Sequence, residues 1–101
     1  MQNVKTNSYI EKIRKCALEF MKDERVRIYL FGLWARGEAR CESDVDIAIE
    51  GDDRLKASKI SALRDFFEES TIPYRVDVVD MRRASEELKE EIRRDGILWK
   101  Q

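Results

Sequence analysis

The stretch that decides the fold is Phe31-Gly-Leu-Trp-Ala-Arg-Gly-Glu-Ala-Arg-Cys-Glu-Ser-Asp-Val-Asp-Ile-Ala-Ile-Glu50. It begins at the end of an apolar run, Arg25–Phe31, in which Val26, Ile28 and Leu30 alternate as in a strand. Gly32 breaks that run, and one helical turn is expected after it. The connection lasts to Ser43, where a second strand begins. Val45, Ile47 and Ile49 alternate over Val45–Glu50, so Asp44 and Asp46 fall together on the opposite face.

Working outward, Ser8–Lys22 reads as a helix, with Ser8 and Glu11 as a capping box and Ile10, Ile13, Ala17, Phe20 and Met21 at helical spacing. Gly51, Asp52 and Asp53 end the second strand and are suited to cap a helix over Arg54–Ser70, whose stripe is Leu55, Ile60, Leu63 and Phe67. Ile72, Tyr74, Val76 and Val78 alternate along a third strand that Pro73 can start. A last helix opens near Ser85, with Glu86 and Glu87 in its first turn and Arg93 and Arg94 in its last. Gly96 stops it. The order α-β-(turn)-β-α-β-α predicts one domain over residues 1–101 of the α/β (α+β) class, a small mixed three-stranded sheet with helices packed on one face. Ile97, Leu98 and Trp99 are then expected to fold back on the sheet; otherwise they mark a dimer or partner surface.

The totals narrow the chemistry. Twenty basic and 21 acidic residues give a net charge of −1, which argues against general nucleic-acid binding. The chain has no histidine, which removes Ser-His and Cys-His nucleophile pairs and histidine-based zinc sites. Cys16 and Cys41 fit neither a disulfide framework nor a zinc spacing, so a reducing, cytoplasmic setting is expected. Neither a signal peptide nor a membrane span is read. Catalysis must therefore rest on carboxylates, arginines, lysines, backbone groups and borrowed metals.

Asp77 points away from the core face of the third strand, as Asp44 and Asp46 do on the second. If the two strands are neighbours, the three acids converge. Clustered carboxylates repel one another unless a cation shares the site. Mg²⁺ suits such a cluster, since it takes a few carboxylates and leaves its other positions to water and phosphate oxygens. Two such ions can clamp an in-line displacement at phosphorus without any histidine. Against this stands a plainer reading: acids on the solvent face of a strand are ordinary, and nine aspartates in 101 residues give roughly one Asp-x-Asp by chance.

The chain's G-L-W-A-R-G, five residues from Glu38 to Glu42, and S-D-V-D resemble the signature of the minimal nucleotidyltransferases (MNT) of the DNA polymerase beta-like superfamily. That signature is G-S-x-A-R-G followed by S-D-x-D. Its spacing is kept, as are Ala35, Arg36, Gly37 and Ser43. The resemblance implies the nucleotidyltransferase fold, two Mg²⁺ on Asp44 and Asp46 with Asp77 completing the site, and ATP as nucleotide donor held by Gly32, Leu33, Arg36 and Ser43. It further implies AMP transfer to a hydroxyl of a helical HEPN-type partner protein, with the chain acting as antitoxin.

Leu33 departs from that signature. Where the family has serine, it keeps a backbone N–H but offers phosphate no hydroxyl. Two outcomes compete: an enzyme with altered phosphate contacts, or an impaired subunit that neutralises its partner by binding alone. Arg36 has a plainer role as a surface ion pair with Glu38 or Glu42, Ser43 as a turn serine, and Trp34 as a packing residue. Asp80 reads as a turn residue past the third strand. Glu50 shares the face of Asp46 but lies about 13 Å along the strand and is excluded from the metal set.

Overall fold

A computed structural model describes residues 7–100. The elements are α1 (Ser8–Phe20), β1 (Arg27–Phe31), α2 (Leu33–Arg36), β2 (Val45–Glu50), α3 (Ala57–Glu69), β3 (Val76–Asp80), a 3-10 turn (Met81–Arg83), α4 (Glu86–Asp95) and β4 (Ile97–Lys100). The sheet has four strands in the order β3-β2-β1-β4, with β2 and β3 parallel and the other two pairs antiparallel. The mixed α/β class is as expected, but the strand count is not. Ile97, Leu98 and Trp99 fold back as an edge strand on β1. A short run behind a helix stop carries no local mark of such pairing, which depends on a partner far away in sequence.

The β1 segment Arg-Ile-Tyr-Leu-Phe is apolar on both faces, and the fold covers both. On one side Ile28, Leu30, Val45, Ile47, Ile49 and Val78 meet Ile10, Ile13 and Ala17 of α1 and Ile60, Leu63 and Phe67 of α3. On the other, Tyr29, Phe31 and Ala48 meet Met81 and Ile92, with Leu88 and Val79 at the margin. Helices therefore pack on two faces, not one. The expectation failed at α4 because Leu88 and Ile92 are a stripe of only two apolar residues in a helix otherwise full of charge.

Several boundaries moved for local reasons. Asn7, not Ser8, caps α1: its Oδ1 accepts from the backbone N–H of Tyr9 (2.9 Å) and Ile10 (3.0 Å). Asparagine and serine cap about equally well, and Glu11, freed from a capping box, pairs with Arg14 at 2.9 Å. Asp52 does not cap α3, because it accepts from the backbone N–H of Arg54 in a preceding turn. The strand expected from Ile72 begins at Val76. Asp80 is that strand's last residue and is buried, where a turn position had been expected. Its carboxylate accepts from Arg82 Nη2 at 2.8 Å, while Arg82 Nη1 donates to the carbonyl of Leu55 at 2.7 Å. The hydrogen bonds from Arg82 hold the Asp80 carboxyl below its usual range. Among the described residues no helix is long and apolar enough to cross a membrane.

Candidate active site at the Gly32 turn

The register of the sheet assembles the candidate site. Asp46 on β2 stands opposite Phe31 on β1 and beside Asp77 on β3, at the inter-strand spacing of about 4.8 Å. These positions share the face that α4 covers lower down. Asp44 lies just before β2 and is exposed. Asp46 is half-buried, and burial is the main cause that pushes its carboxyl up to about 6. The charges of Asp77 and Asp44 push the same way, and the Arg36 guanidinium offsets part of the effect. The acids are thus close enough to feel one another. Among the described residues no group of three or more His, Cys, Asp or Glu side chains is arranged to hold a metal ion; Asp46 and Asp77 stand side by side on neighbouring strands, with Asp44 just before β2. Asp77 is also within 3.6 Å of the Nε of Arg75.

Gly32 ends β1 and turns the chain over this cluster. Its φ of +76° belongs to glycine, and a Cβ on it would run into the Asp46 carboxylate. Gly37, at φ +73°, closes α2 in the left-handed conformation. Between them, the first-turn N–H groups of α2 lack partners within the helix, as at any helix start. Leu33 occupies the first helical position and is 40% exposed. Gly32→Ala should lower stability by about 1–3 kcal/mol, the usual cost of forcing a side chain into such backbone. Thermal unfolding would measure that loss, and displacement of Asp46 should be visible in its carboxyl chemical shift.

Trp34 is buried at 2% exposure, as its packing role required. Its Nε1 donates to the Ser43 carbonyl at 3.1 Å, and its ring meets Tyr74 edge-on at 5.3 Å. Ser43 closes the loop, its Oγ accepting from the Arg40 backbone N–H at 2.9 Å. Trp34 and Ser43 therefore join the glycine turn to the start of β2. Arg36 makes the ion pair with Glu38 (3.3 Å) anticipated for it, and also one with Glu91 of α4 (3.7 Å). Glu91 was not singled out from the sequence, where Glu-Glu-Leu-Lys-Glu-Glu reads as a solvated helix face. Glu50 stays apart as expected, accepting from Tyr29 Oη (3.0 Å) and Arg93 Nη2 (2.8 Å).

Comparison with known proteins shows what the chain as a whole resembles. The family described as Polymerase beta, Nucleotidyltransferase matches residues 11–100. The probable protein adenylyltransferase MntA of Haemophilus influenzae is 36% identical over 67 residues, 66% of this chain and 59% of that protein. The match thus spans about three-fifths of that relative's length. Among solved structures, a toxin–antitoxin complex with AMP-PNP contains a chain similar at TM-score 0.69 and 28% identity, over 85% of this chain and 71% of that one. A complex of a tri-AMPylated Shewanella oneidensis HEPN toxin with its MNT antitoxin contains one similar at TM-score 0.63 and 25% identity, over 88% and 70%. With nine-tenths of its length matched, the chain belongs to the polymerase beta nucleotidyltransferase family.

Proposed function

We propose that the protein transfers AMP from ATP to a hydroxyl of a HEPN-type partner protein and acts as that partner's antitoxin. The observation that carries this reading is the pairing of Asp46 with Asp77 on neighbouring strands beneath the Gly32 turn. The donor set fits Mg²⁺: three carboxylates, all hard oxygen ligands, with Asp46 carrying more negative charge around it than Arg36 relieves. Asp44, Asp46 and Asp77 would hold the metal, which supplies charge neutralisation on the phosphate oxygens. Gly32 and the backbone N–H groups at Leu33, together with Arg36, hold the triphosphate. Ser43 acts at one remove in this scheme, by holding the loop that leads to Asp44.

In the transfer, the acceptor hydroxyl oxygen forms a bond to the α-phosphorus while the bond from that phosphorus to the oxygen bridging it to the β-phosphorus breaks. Pyrophosphate leaves, and the hydroxyl proton passes to Asp77 or to water beside it. The relatives' names support the substrates: one is a probable protein adenylyltransferase, and one solved toxin is AMPylated.

The test is to incubate the protein with Mg²⁺ and α-labelled ATP, with and without a HEPN-type partner. Label is expected on the partner. Neutralisation of the partner that survives Asp44→Asn and Asp46→Asn, with no label transferred, would establish the binding-only reading instead. That second reading draws on Leu33, which is exposed at the turn where the family has a hydroxyl. Its cost is measurable. Leu33→Ser should tighten Mg-ATP by about 10–100-fold, since a hydrogen bond to a charged group contributes about 1.5–3 kcal/mol. Calorimetric titration showing unchanged affinity would place the phosphates elsewhere.

A further inference from the structure

Arg36 lies between carboxylates on two different elements. Its Nε donates to Glu38 Oε1 at 3.3 Å in the loop after α2, and its Nη1 lies 3.7 Å from Glu91 Oε2 on α4. Neither Nη1 nor Nη2 donates a hydrogen bond to protein among the described residues. Both ends of the Glu91 contact are anchored. Ile92, next to Glu91, is fully buried against the sheet face of Tyr29, Phe31 and Ala48. Arg36 is the last residue of α2, one turn after the glycine that lies on Asp46. The guanidinium thus lies between the carboxylates of α4 and of the loop, with its terminal nitrogens left over for a ligand.

We infer that Glu91 is a positioning residue: it holds Arg36 so that the free edge of the guanidinium meets the triphosphate above the acid cluster. The inference rests on the proposed placement of the nucleotide. An unheld arginine carries on the order of 2 kcal/mol of side-chain rotamer entropy into any contact it makes. A carboxylate at one edge of the planar fork removes part of that cost before the ligand arrives. A pair of partly exposed side chains adds little to stability, so the contribution of Glu91 should appear in ligand binding and hardly at all in folding. The fold is what gives α4 a place in the site: a helix on the second sheet face brings an acid next to an arginine well before it in sequence.

A double-mutant cycle on Mg-ATP binding tests this. Glu91→Ala should raise Kd about 3–10-fold and leave the melting temperature nearly unchanged. Glu91→Gln, which keeps an acceptor oxygen, should recover part of that loss. In an Arg36→Ala background, Glu91→Ala should have no further effect. Additive losses, or tighter binding in Glu91→Ala, would overturn the inference and make Glu91 either an independent contact or a competing anion. A nucleotide-free readout separates this failure from failure of the underlying placement. The Arg36 Nε–Hε resonance should lose order in Glu91→Ala; if that resonance is unchanged, Glu91 does not hold the guanidinium. If Arg36→Ala alone leaves Mg-ATP affinity intact, the nucleotide placement itself is wrong and the inference falls with it.

Discussion

Asp46→Asn is expected to abolish transfer and yet make the protein more stable. On the function proposed above Asp46 would be a metal ligand, and its loss would remove several kcal/mol of transition-state stabilisation, so label transfer should fall by about 10³-fold or more. Stability moves the other way. The Asp46 carboxyl is raised from 3.8 to about 6, by burial first and by Asp77 and Asp44 next. A carboxyl raised in the folded state binds more protons there than in the unfolded chain. Its favourable contribution is therefore complete below about pH 4 and lost as pH rises through about 6. At neutral pH the ionised group opposes folding, and asparagine removes that opposition. Because the group is only half-buried, the expected gain is about 1 kcal/mol after solvent screening, or about 4–8 °C in melting temperature for a chain of this size. Mg²⁺ should raise the melting temperature of the wild type and leave that of Asp46→Asn nearly unmoved. A variant that is inactive and less stable would show that Asp46 is a structural residue.

Trp34→Ala should be the most damaging single change to the fold. Truncating a buried aromatic costs about 3–5 kcal/mol, a large part of the roughly 5–15 kcal/mol that domains possess. Three things go together: the ring against Tyr74, the filling of the core beside α2, and the bond from Nε1 to the Ser43 carbonyl. Trp34→Phe separates them. It keeps most of the packing and drops the hydrogen bond, for about 1 kcal/mol. Since that bond ties the glycine turn to the residue before Asp44, Trp34→Phe should lower transfer more than its small stability loss explains. Denaturant unfolding alongside the label assay measures both. Equal losses in the two would reduce Trp34 to packing alone.

The strand that carries Asp46 was more legible than the sheet around it. Asp46 and Asp77 could be placed on one face because alternation along a strand is local and obligatory, and the Val45–Glu50 strand was bounded as the structure has it. Gly32 was marked by the break it makes in an apolar run, and its positive φ supplies the reason. What escaped were features that depend on another part of the chain. The partner of β4 is β1, and nothing within Ile97–Lys100 announces it. The second face could have been suspected from Tyr29 and Phe31, which are too apolar for a solvated side. Glu91 could not, since its meaning comes entirely from Arg36 across the fold. Asp80 shows the converse: a carboxylate at a strand end looks like a turn residue until Arg82 is seen folding back over it.

The parallel pairing of β2 with β3 bears on how the protein comes to be folded as well as on what it binds. Asp46 and Asp77 meet only after the intervening chain, α3 included, has been laid across the sheet. Parallel pairings of this kind close a long loop and form slowly. Their meeting point here is also one of mutual repulsion. A ligand that needs both acids has nothing to bind in a chain that has not made this crossover. Its full binding energy therefore accrues to the completed fold, and occupancy of the site reports that the β2–β3 pairing is in place.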